Sequence, residues 1–249
     1  MSRKYTVTPR CFQPHRDVVP QSYASFVPHI VSERYVNDNP LAQAEVSSPF
    51  MAAVLLLDIS GYTRLTQWLE ANVVRGSEVM SVALNSYFSA IMEVVRGGGG
   101  DVVKFAGDAL LCLFRGRAAQ TIAIDTALEA VHTLRNFEVL DGHATLSLHA
   151  AICYGEVRGM HLGGVELGGE NRWEWNIHAP QVLKHLGQIL NGTKTGQVGM
   201  LPSSWAEYCV ARPAVRSAAV DSESVDETSG HTVISCNGHI YDALTVNLL

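Results

Sequence analysis

Two aspartates follow short apolar runs, in contexts that suit the binding of a divalent metal ion. Asp58 directly follows the apolar run Ala52–Leu57, which is typical of a strand buried on both faces. Asp108 follows Gly107 between two further apolar runs, a pattern that predicts a hairpin with the acid at its tip. If the hairpin pairs beside the first strand, both carboxylates emerge at one end of the sheet, where a cation relieves their repulsion. Mg²⁺ is the natural partner, because it is bound by one or two carboxylates together with substrate phosphates.

The segment Ser60-Gly61-Tyr62-Thr63 joins the first aspartate to a helix that is predicted to begin near Tyr62. A helix N-terminus offers free backbone N–H groups and a positive dipole end, and glycine lets a phosphate approach the backbone closely. This turn therefore suits a nucleoside triphosphate with its metal. The pair of aspartates carries this interpretation, because a single acid beside a glycine turn is equally often a cap or turn residue. The chain contains no GxxxxGK[ST] motif, so a P-loop fold is not supported.

The elements that must position these groups follow an α/β (α+β) order. We predict a strand ending at 57, helices at 62 onward and 77–95, a hairpin over 101–114, a helix over 118–136 and strands over 146–154 and 156–161, with a turn at Gly155. That order predicts one mostly antiparallel sheet with helices on one face. A glycine-rich loop at 163–172, a helix at 178–190 and a short strand at 197–201 are expected to follow.

The two ends of the chain are predicted to lie outside the main domain, which we expect to span residues 48–212. Residues 1–47 contain five of the nine prolines and are expected to form an extension without a long element. Residues 213–249 are expected to contain an acidic loop over 217–230, followed by a hairpin that turns at Asn237-Gly238.

The composition indicates the class of protein. The formal net charge of −6 argues against nucleic-acid binding, which depends on clustered Lys and Arg. Five cysteines, odd in number and far apart, indicate a reducing compartment without a disulfide framework. No secretory signal and no apolar run of about 18 residues are found, so no transmembrane segment is expected. We therefore expect a cytoplasmic protein.

Two strings around the aspartates carry a family resemblance. Residues 50–63 read FMAAVLLLDISGYT and residues 100–111 read GDVVKFAGDALL. Together they resemble class III adenylyl and guanylyl cyclase catalytic domains, and in particular the first catalytic domain of the soluble, bicarbonate-responsive adenylyl cyclases. The resemblance implies a ferredoxin-like βαββαβ domain that converts ATP to cyclic AMP and pyrophosphate with two Mg²⁺ or Mn²⁺ ions. It is specific over about 50–115 and continues loosely to Trp205.

The resemblance assigns roles to individual residues. Asp58 and Asp108 match the metal-binding aspartates, and Ile59 would add its backbone carbonyl as a metal ligand. The turn at 60–63 matches the family's phosphate-binding turn, which makes its four residues candidate substrate contacts.

Two further positions have alternative interpretations. His149 falls where the family often has an Arg or Lys that reaches the triphosphate, although a strand histidine bonded to a neighbour explains it equally well. Lys104 matches a lysine that contacts adenine in the base-binding half of these enzymes, and that belongs to the bicarbonate site in the soluble subgroup's first domain. A solvated strand lysine is the alternative for Lys104.

The helix expected at 178–187 departs from the family, because neither the catalytic Asn nor the catalytic Arg is found at the matching turns. Lys184 or His185 substitutes only loosely, and Asn176 is the nearest polar residue to the expected base-selecting Asp. The resemblance therefore implies half of a site, completed by a second class III cyclase domain in the same or another chain. An inactive cyclase-like domain that acts as a regulatory or dimerising partner is the alternative. An unrelated Mg²⁺-dependent phosphohydrolase is a third hypothesis.

Overall fold

The computed structural model describes residues 27–37, 45–140, 142–167, 170–215, 220–226 and 230–236 of the chain. The chain divides into two compact units, residues 1–41 and 42–249. In the first unit, helix α1 spans His29–Asn37 and begins directly after Pro28. The proline content did not predict this helix, but proline is compatible with the start of a helix because the first N–H groups need no intrahelical partner.

The second unit is built on one sheet with five helices among its described residues. The strands are β1 Glu45–Val46, β2 Phe50–Ser60, β3 Asp101–Ala106, β4 Ala109–Arg115, β5 Phe137–Val139, β6 Ala144–Leu167, β7 Glu170–His178, β8 Gln197–Met200, β9 Val220–Val225 and β10 Thr232–Cys236. The helices are α2 Tyr62–Asn72, α3 Gly76–Gly97, α4 Ala119–Thr133, α5 Pro180–Gly192 and α6 Pro202–Ala211. No helix among the described residues combines the length and the apolar character needed to cross a bilayer.

The sheet is mostly antiparallel, as predicted. Its main order is β3-β4-β2-β6-β8-β10-β9, and β1, β5 and β7 also pair with β6. Among the described pairs only β6 and β8 run parallel. The long strands β2 and β6 therefore form the centre of the sheet, and their ends determine which side chains meet at its edge.

The main core lies between one face of the sheet and helices α2, α3, α4 and α6. Leu57 of β2, Tyr87 of α3, Leu128 of α4 and Trp205 of α6 are all buried in it. Helix α5 does not follow the prediction that the helices pack on one face of the sheet. A Cβ atom at Gly155 would come within 2.7 Å of Val182 on α5, which shows that α5 packs closely on the opposite face.

Two predicted connections are strands instead. Gly155 was expected to turn the chain, but it lies inside the continuous strand β6, where its missing side chain makes room for α5. Within the loop expected at 163–172, residues 163–167 belong to the end of β6 and residues 170–172 to the start of β7. The pairing of the two strands shifts register between Gly163 and Val165.

The acidic segment near the C-terminus also differs from the prediction. Within the loop expected at 217–230, residues Val220–Val225 form β9, which pairs with β10 at the edge of the sheet. Five of its six side chains are exposed, so a polar composition is compatible with a strand at this position. The predicted turn at Asn237-Gly238 lies outside the described residues.

Candidate active site

Asp58 and Asp108 lie at the same edge of the sheet. In the register of β2 with β4, Asp58 is opposite Ala109, and Asp108 is the residue immediately before Ala109. The two carboxylates are close enough for Asp108 to raise the pKa of Asp58. The hairpin predicted around Asp108 therefore exists and pairs directly beside the strand that carries Asp58, as the sequence indicated.

The environment of Asp58 disfavours its negative charge. Its side chain is 26% exposed, and partial burial is the largest cause that raises its pKa. The repulsion from Asp108 adds to this effect, while His149 and a hydrogen bond from the Ile59 backbone counteract it. A cation bound between the two aspartates would favour the ionised form of Asp58 and so counteract the shift, which is the electrostatic condition for a metal site.

His149 lies opposite Asp58 in the register of β2 with β6. Its Nε2 atom is 3.3 Å from Asp58 Oδ2, and its Nδ1 atom is 3.2 Å from Ser60 Oγ. Burial lowers the pKa of His149, and the two aspartates counteract that shift. Both ring nitrogens thus have neighbours within the site, and a direct contact with the triphosphate stays a prediction for this residue.

Thr195 joins this group, although sequence reasoning missed it. Its Oγ1 atom donates a hydrogen bond of 2.8 Å to Ser60 Oγ across 135 residues of chain. It lies in the turn between α5 and β8, and a threonine in such a turn carries no local signal of function. Only the pairing of β8 with β6 brings this turn to the edge where β2 ends.

The turn after Ser60 requires glycine, and the helix that follows it, α2, has no side-chain cap at its N-terminus. Gly61 has φ +101°, and a Cβ atom there would lie 2.8 Å from the backbone oxygen of Thr145. Gly61 is also the N-cap of α2, and it provides no side-chain hydrogen bond to that helix. The backbone N–H groups of the first turn, at Tyr62 and Thr63, therefore lack a side-chain cap and are suitable for an anion.

Lys104 lies on β3, away from the hairpin tip, and Asn176 lies on β7. The Lys104 Nζ atom donates a hydrogen bond of 3.2 Å to Asn176 Oδ1. The two residues border a cavity of about 150 Å³ whose apolar lining includes Trp175 and Leu183. The sequence suggested these two polar residues separately for contacts to a nucleotide base, and the structure brings them together.

Helix α5 has the predicted gap. Its thirteen residues include no Arg, and its single Asn, Asn191, lies in the last turn. Lys184 is exposed on this helix and His185 is half-buried. The catalytic Asn and Arg that the family resemblance led us to look for are thus not found at the matching turns of this helix.

The donor set fits a hard divalent ion only in part. Among the described residues, no three His, Cys, Asp or Glu side chains cluster closely enough to hold a metal by themselves. Asp58 and Asp108 provide two carboxylates, and the ladder of β2 with β4 ends at Asp58, so Ile59 lies just beyond it. Two carboxylates with a backbone carbonyl suit Mg²⁺ or Mn²⁺ when substrate phosphates complete the coordination.

Comparison with known sequences supports the family resemblance. No protein-family model matches the chain. The chain is 32% identical to adenylate cyclase type 10 of Mus musculus over 163 residues, which are 63% of this chain and 10% of that protein. Adenylate cyclase type 10 of Homo sapiens gives 32% identity over 168 residues with the same coverage. The chain thus spans about a tenth of the length of these curated relatives.

Comparison with solved structures supports the fold. The guanylyl cyclase Cya2 superposes with a TM-score of 0.57 at 22% identity, covering 77% of this chain and 93% of that one. A bacterial light-regulated adenylyl cyclase gives a TM-score of 0.62 at 14% identity, covering 91% and 64% of the two chains. The guanylyl cyclase domain of the RhoGC fusion protein from Blastocladiella emersonii gives 0.57 at 15% identity, covering 80% and 98%. The chain therefore contains a domain with the fold of class III nucleotidyl cyclase catalytic domains.

Proposed function

We propose that this domain is a nucleotidyl cyclase that converts ATP to cyclic AMP and pyrophosphate, and that it contributes the metal-binding half of a site shared with a second cyclase domain. The observation that carries the proposal is the register that puts Asp58 beside Ala109, so that Asp58 and Asp108 share one edge of the sheet. In the chain, the N-terminus of α2, which has no side-chain cap, follows that edge directly. The similarity to proteins named adenylate cyclase type 10 supports ATP as the substrate.

In this proposal the chain contributes positioning and charge stabilisation. Asp58 and Asp108, with the carbonyl of Ile59, would hold Mg²⁺ or Mn²⁺. Metal ions bound there would supply positive charge that favours ionisation of the ribose 3′-hydroxyl and offsets the charge of the leaving pyrophosphate. The turn at 60–63 would bind the β- and γ-phosphates through backbone N–H groups.

The reaction itself is an in-line displacement. The 3′-oxygen gives its proton to solvent and bonds to the α-phosphorus, while the bond from that phosphorus to the bridging oxygen breaks and pyrophosphate leaves. Holding the two reacting atoms in line lowers the entropic cost of this step, and fixed charges around the phosphates stabilise the transition state.

The missing groups on α5 motivate the second domain. Since α5 has no Arg and has an Asn only in its last turn, the partner would supply the residues that contact the transition state. The Lys104–Asn176 pair and its cavity would then bind either a base in the reciprocal site or a small anion such as bicarbonate. In either role, Lys104 on β3 and Asn176 on β7 lie on other strands than Asp58, which is on β2.

The test is a product assay with ATP and Mn²⁺ or Mg²⁺, on the domain alone and mixed with a cyclase domain that carries the catalytic Asn and Arg. Cyclic AMP and pyrophosphate in equal amounts are the expected products. Inorganic phosphate without a cyclic product would instead support a phosphohydrolase and contradict the proposal. A parallel assay with GTP determines which base is preferred.

A second candidate is an inactive cyclase-like domain that regulates or dimerises with a partner. The absence of the matching Asn and Arg on α5 favours it. Calorimetry with Mg²⁺ and a non-hydrolysable ATP analogue separates the two candidates. If the domain binds no nucleotide even when it is paired, the regulatory role is favoured over the catalytic one.

A further inference from the structure

The α5–β8 turn, residues 193–197, lies against the turn that contains Ser60. Thr195 Oγ1 donates a hydrogen bond of 2.8 Å to Ser60 Oγ. The Gly196 N–H donates to the Leu148 carbonyl at 2.8 Å, which attaches the α5–β8 turn to β6. The two turns are therefore neighbours at one edge of the sheet, although 135 residues of chain separate their contacting side chains.

The backbone of the α5–β8 turn leaves two of its side chains exposed. Gln197 N–H donates to the Lys194 carbonyl at 3.0 Å, and Gly196 has φ +81°, a conformation that the third residue of a type II turn adopts. Lys194 N–H donates in turn to Gln197 Oε1 at 3.0 Å. Lys194 and Thr195 are exposed, whereas Gly196 is buried. The turn therefore presents one hydroxyl and one cation to solvent.

The charges near this turn favour an anion. The chain has a formal net charge of −6, so an anion bound at this edge needs a local source of positive charge. Residues 193–197 read TKTGQ and contain one cation and no acid. Within the described part of the chain, the Lys194 amino group has no carboxylate partner. A Cβ atom at Gly196 would lie 3.1 Å from Arg135 Nη2, so a second cation lies beside the same turn.

The sheet order separates this positive charge from the two aspartates. Strands β4, β2, β6 and β8 are consecutive, with Asp108 just before β4 and Asp58 on β2. Neighbouring strands lie about 4.8 Å apart, which puts the start of β8 about 10 Å from the end of β2. Ser60, at the end of β2, thus has the carboxylates on one side and the Lys194 turn on the other. A polyphosphate bound beside Ser60 would meet charges of opposite sign at its two ends.

We propose that Lys194 binds the terminal phosphates of the nucleoside triphosphate, so that the α5–β8 turn forms a second wall of the phosphate site. The proposal rests on the phosphate-binding role proposed for the turn at 60–63. A lysine ammonium is a flexible point charge that suits phosphate oxygens. The Cα atoms of Lys194 and Thr195 are about 3.8 Å apart, so the long Lys194 side chain can reach a phosphate beside Ser60.

Stabilisation of helix α5 is the alternative role for Lys194. Thr193 is the C-cap of α5, and a cation directly after a helix C-terminus interacts favourably with the helix dipole. The two roles differ in what the loss of the charge changes. A phosphate ligand changes affinity for polyphosphate, whereas a helix-stabilising lysine changes the temperature of unfolding.

The test is calorimetric titration of the whole chain with inorganic triphosphate and Mg²⁺, since this chain carries both turns. Lys194→Gln should weaken binding about 10-fold, and Lys194→Arg should restore most of the affinity. Raising the salt concentration should weaken binding to the wild type more than binding to Lys194→Gln. Arg117→Gln is the control for net charge, because Arg117 is exposed beyond the end of β4 that lies away from Asp108. This control should bind as the wild type does.

Each other outcome has a definite meaning. Equal affinity of Lys194→Gln and the wild type would overturn the proposal, and a lower unfolding temperature in that variant would then assign Lys194 to α5. An equal loss of affinity in Arg117→Gln would show that only net charge matters, which also overturns it. A wild type that binds no triphosphate would overturn it together with the phosphate-binding role of the turn at 60–63. Binding that depends on Lys194, without cyclic AMP from the paired domains, would support this proposal and contradict the proposed cyclase activity.

Discussion

Asp58 and His149 face each other across the two central strands of the sheet, with 3.3 Å between Oδ2 and Nε2. Partial burial raises the pKa of the aspartate and lowers the pKa of the histidine, so both shifts favour the uncharged forms. Asp108 lies beside them and makes a negative charge on Asp58 still less favourable. This edge of the sheet therefore disfavours the negative charge of Asp58, and a bound cation would offset that effect, which is the property expected of a metal site.

Replacement of Gly61 by alanine should destabilise the fold more than a matched glycine replacement elsewhere. Gly61 and Gly116 have nearly the same φ, +101° and +102°, but only a Cβ at Gly61 meets a backbone oxygen within 3 Å. Gly116→Ala should cost about 1–2 kcal/mol from its left-handed backbone. Gly61→Ala should cost at least about 1 kcal/mol more, because the Thr145 carbonyl must move.

Urea unfolding of the two variants and the wild type measures this difference directly. Equal free energies of unfolding for Gly61→Ala and Gly116→Ala would show that the close approach to Thr145 is not a real constraint on the turn.

The hydrogen bonds that join α4 to the C-terminal end of α6 should contribute measurably to the free energy of unfolding. Asp125 accepts hydrogen bonds from Tyr208 Oη at 2.7 Å and from Arg212 Nε and Nη2 at 3.2 and 3.1 Å. Burial raises the pKa of Asp125 more than Tyr208 and Arg212 lower it. The ionised form of Asp125 therefore depends on the hydrogen bonds from these two residues. Asp125→Asn should lower the free energy of unfolding by about 1.5–3 kcal/mol, and Tyr208→Phe by about 0.5–1.5 kcal/mol.

A double-mutant cycle on Asp125 and Tyr208, followed by thermal unfolding, isolates the pair. If the two effects simply add, the residues do not interact as the structure indicates.

The stability of the domain should fall on mild acidification because of His231. Burial is the main cause that lowers the pKa of His231, His185 adds to the shift, and Asp226 opposes it. Since the folded-state pKa lies below the unfolded value of about 6.5, stability is fully present above that value and is lost as the pH falls toward the folded pKa. One such group changes stability by at most about 1.4 kcal/mol per pH unit.

The free energy of unfolding at about pH 7.5 and 5.5 is the measurement, with His231→Gln beside the wild type. The variant should show the smaller decrease, and His178→Gln at the exposed end of β7 should match the wild type. An equal decrease in His231→Gln and the wild type would mean that His231 does not cause the pH dependence.

The Lys104–Asn176 pair should affect nucleotide or anion binding and leave metal binding intact. Lys104→Gln removes the cation that donates to Asn176 beside the cavity of about 150 Å³. We expect Mn²⁺ affinity within about twofold of the wild type, because Lys104 is not a metal ligand. The KM for ATP or the response to bicarbonate should change in the paired enzyme. If both are unchanged, the pair has no role in binding.

The sequence indicates that two aspartates meet at one edge of the sheet, but it does not indicate every residue that contacts them there. The positions of Asp58 and Asp108 could be predicted because each follows a short apolar run, and such a run also forms a strand in the folded protein. The position of Thr195 could not, since its partner Ser60 lies 135 residues away. Asn176 was named as a candidate, but its contact with Lys104, 72 residues away, was not predictable from local patterns. At Gly155 the sequence predicts a turn that does not form, because packing against α5 outweighs the local preference of glycine for a turn.

The most direct test of the metal-binding role is a complementation assay. This domain is mixed with a second cyclase domain that has the catalytic Asn and Arg but whose own metal-binding aspartates have been replaced, and cyclic AMP is measured with Mn²⁺ and ATP. The mixture with the wild-type domain should be active. Mixtures with Asp58→Asn or Asp108→Asn should be less active by more than about 100-fold, whereas Asp221→Asn on the exposed edge strand should have no effect. A wild-type mixture that forms no cyclic AMP, or one whose activity survives loss of either aspartate, would contradict the account.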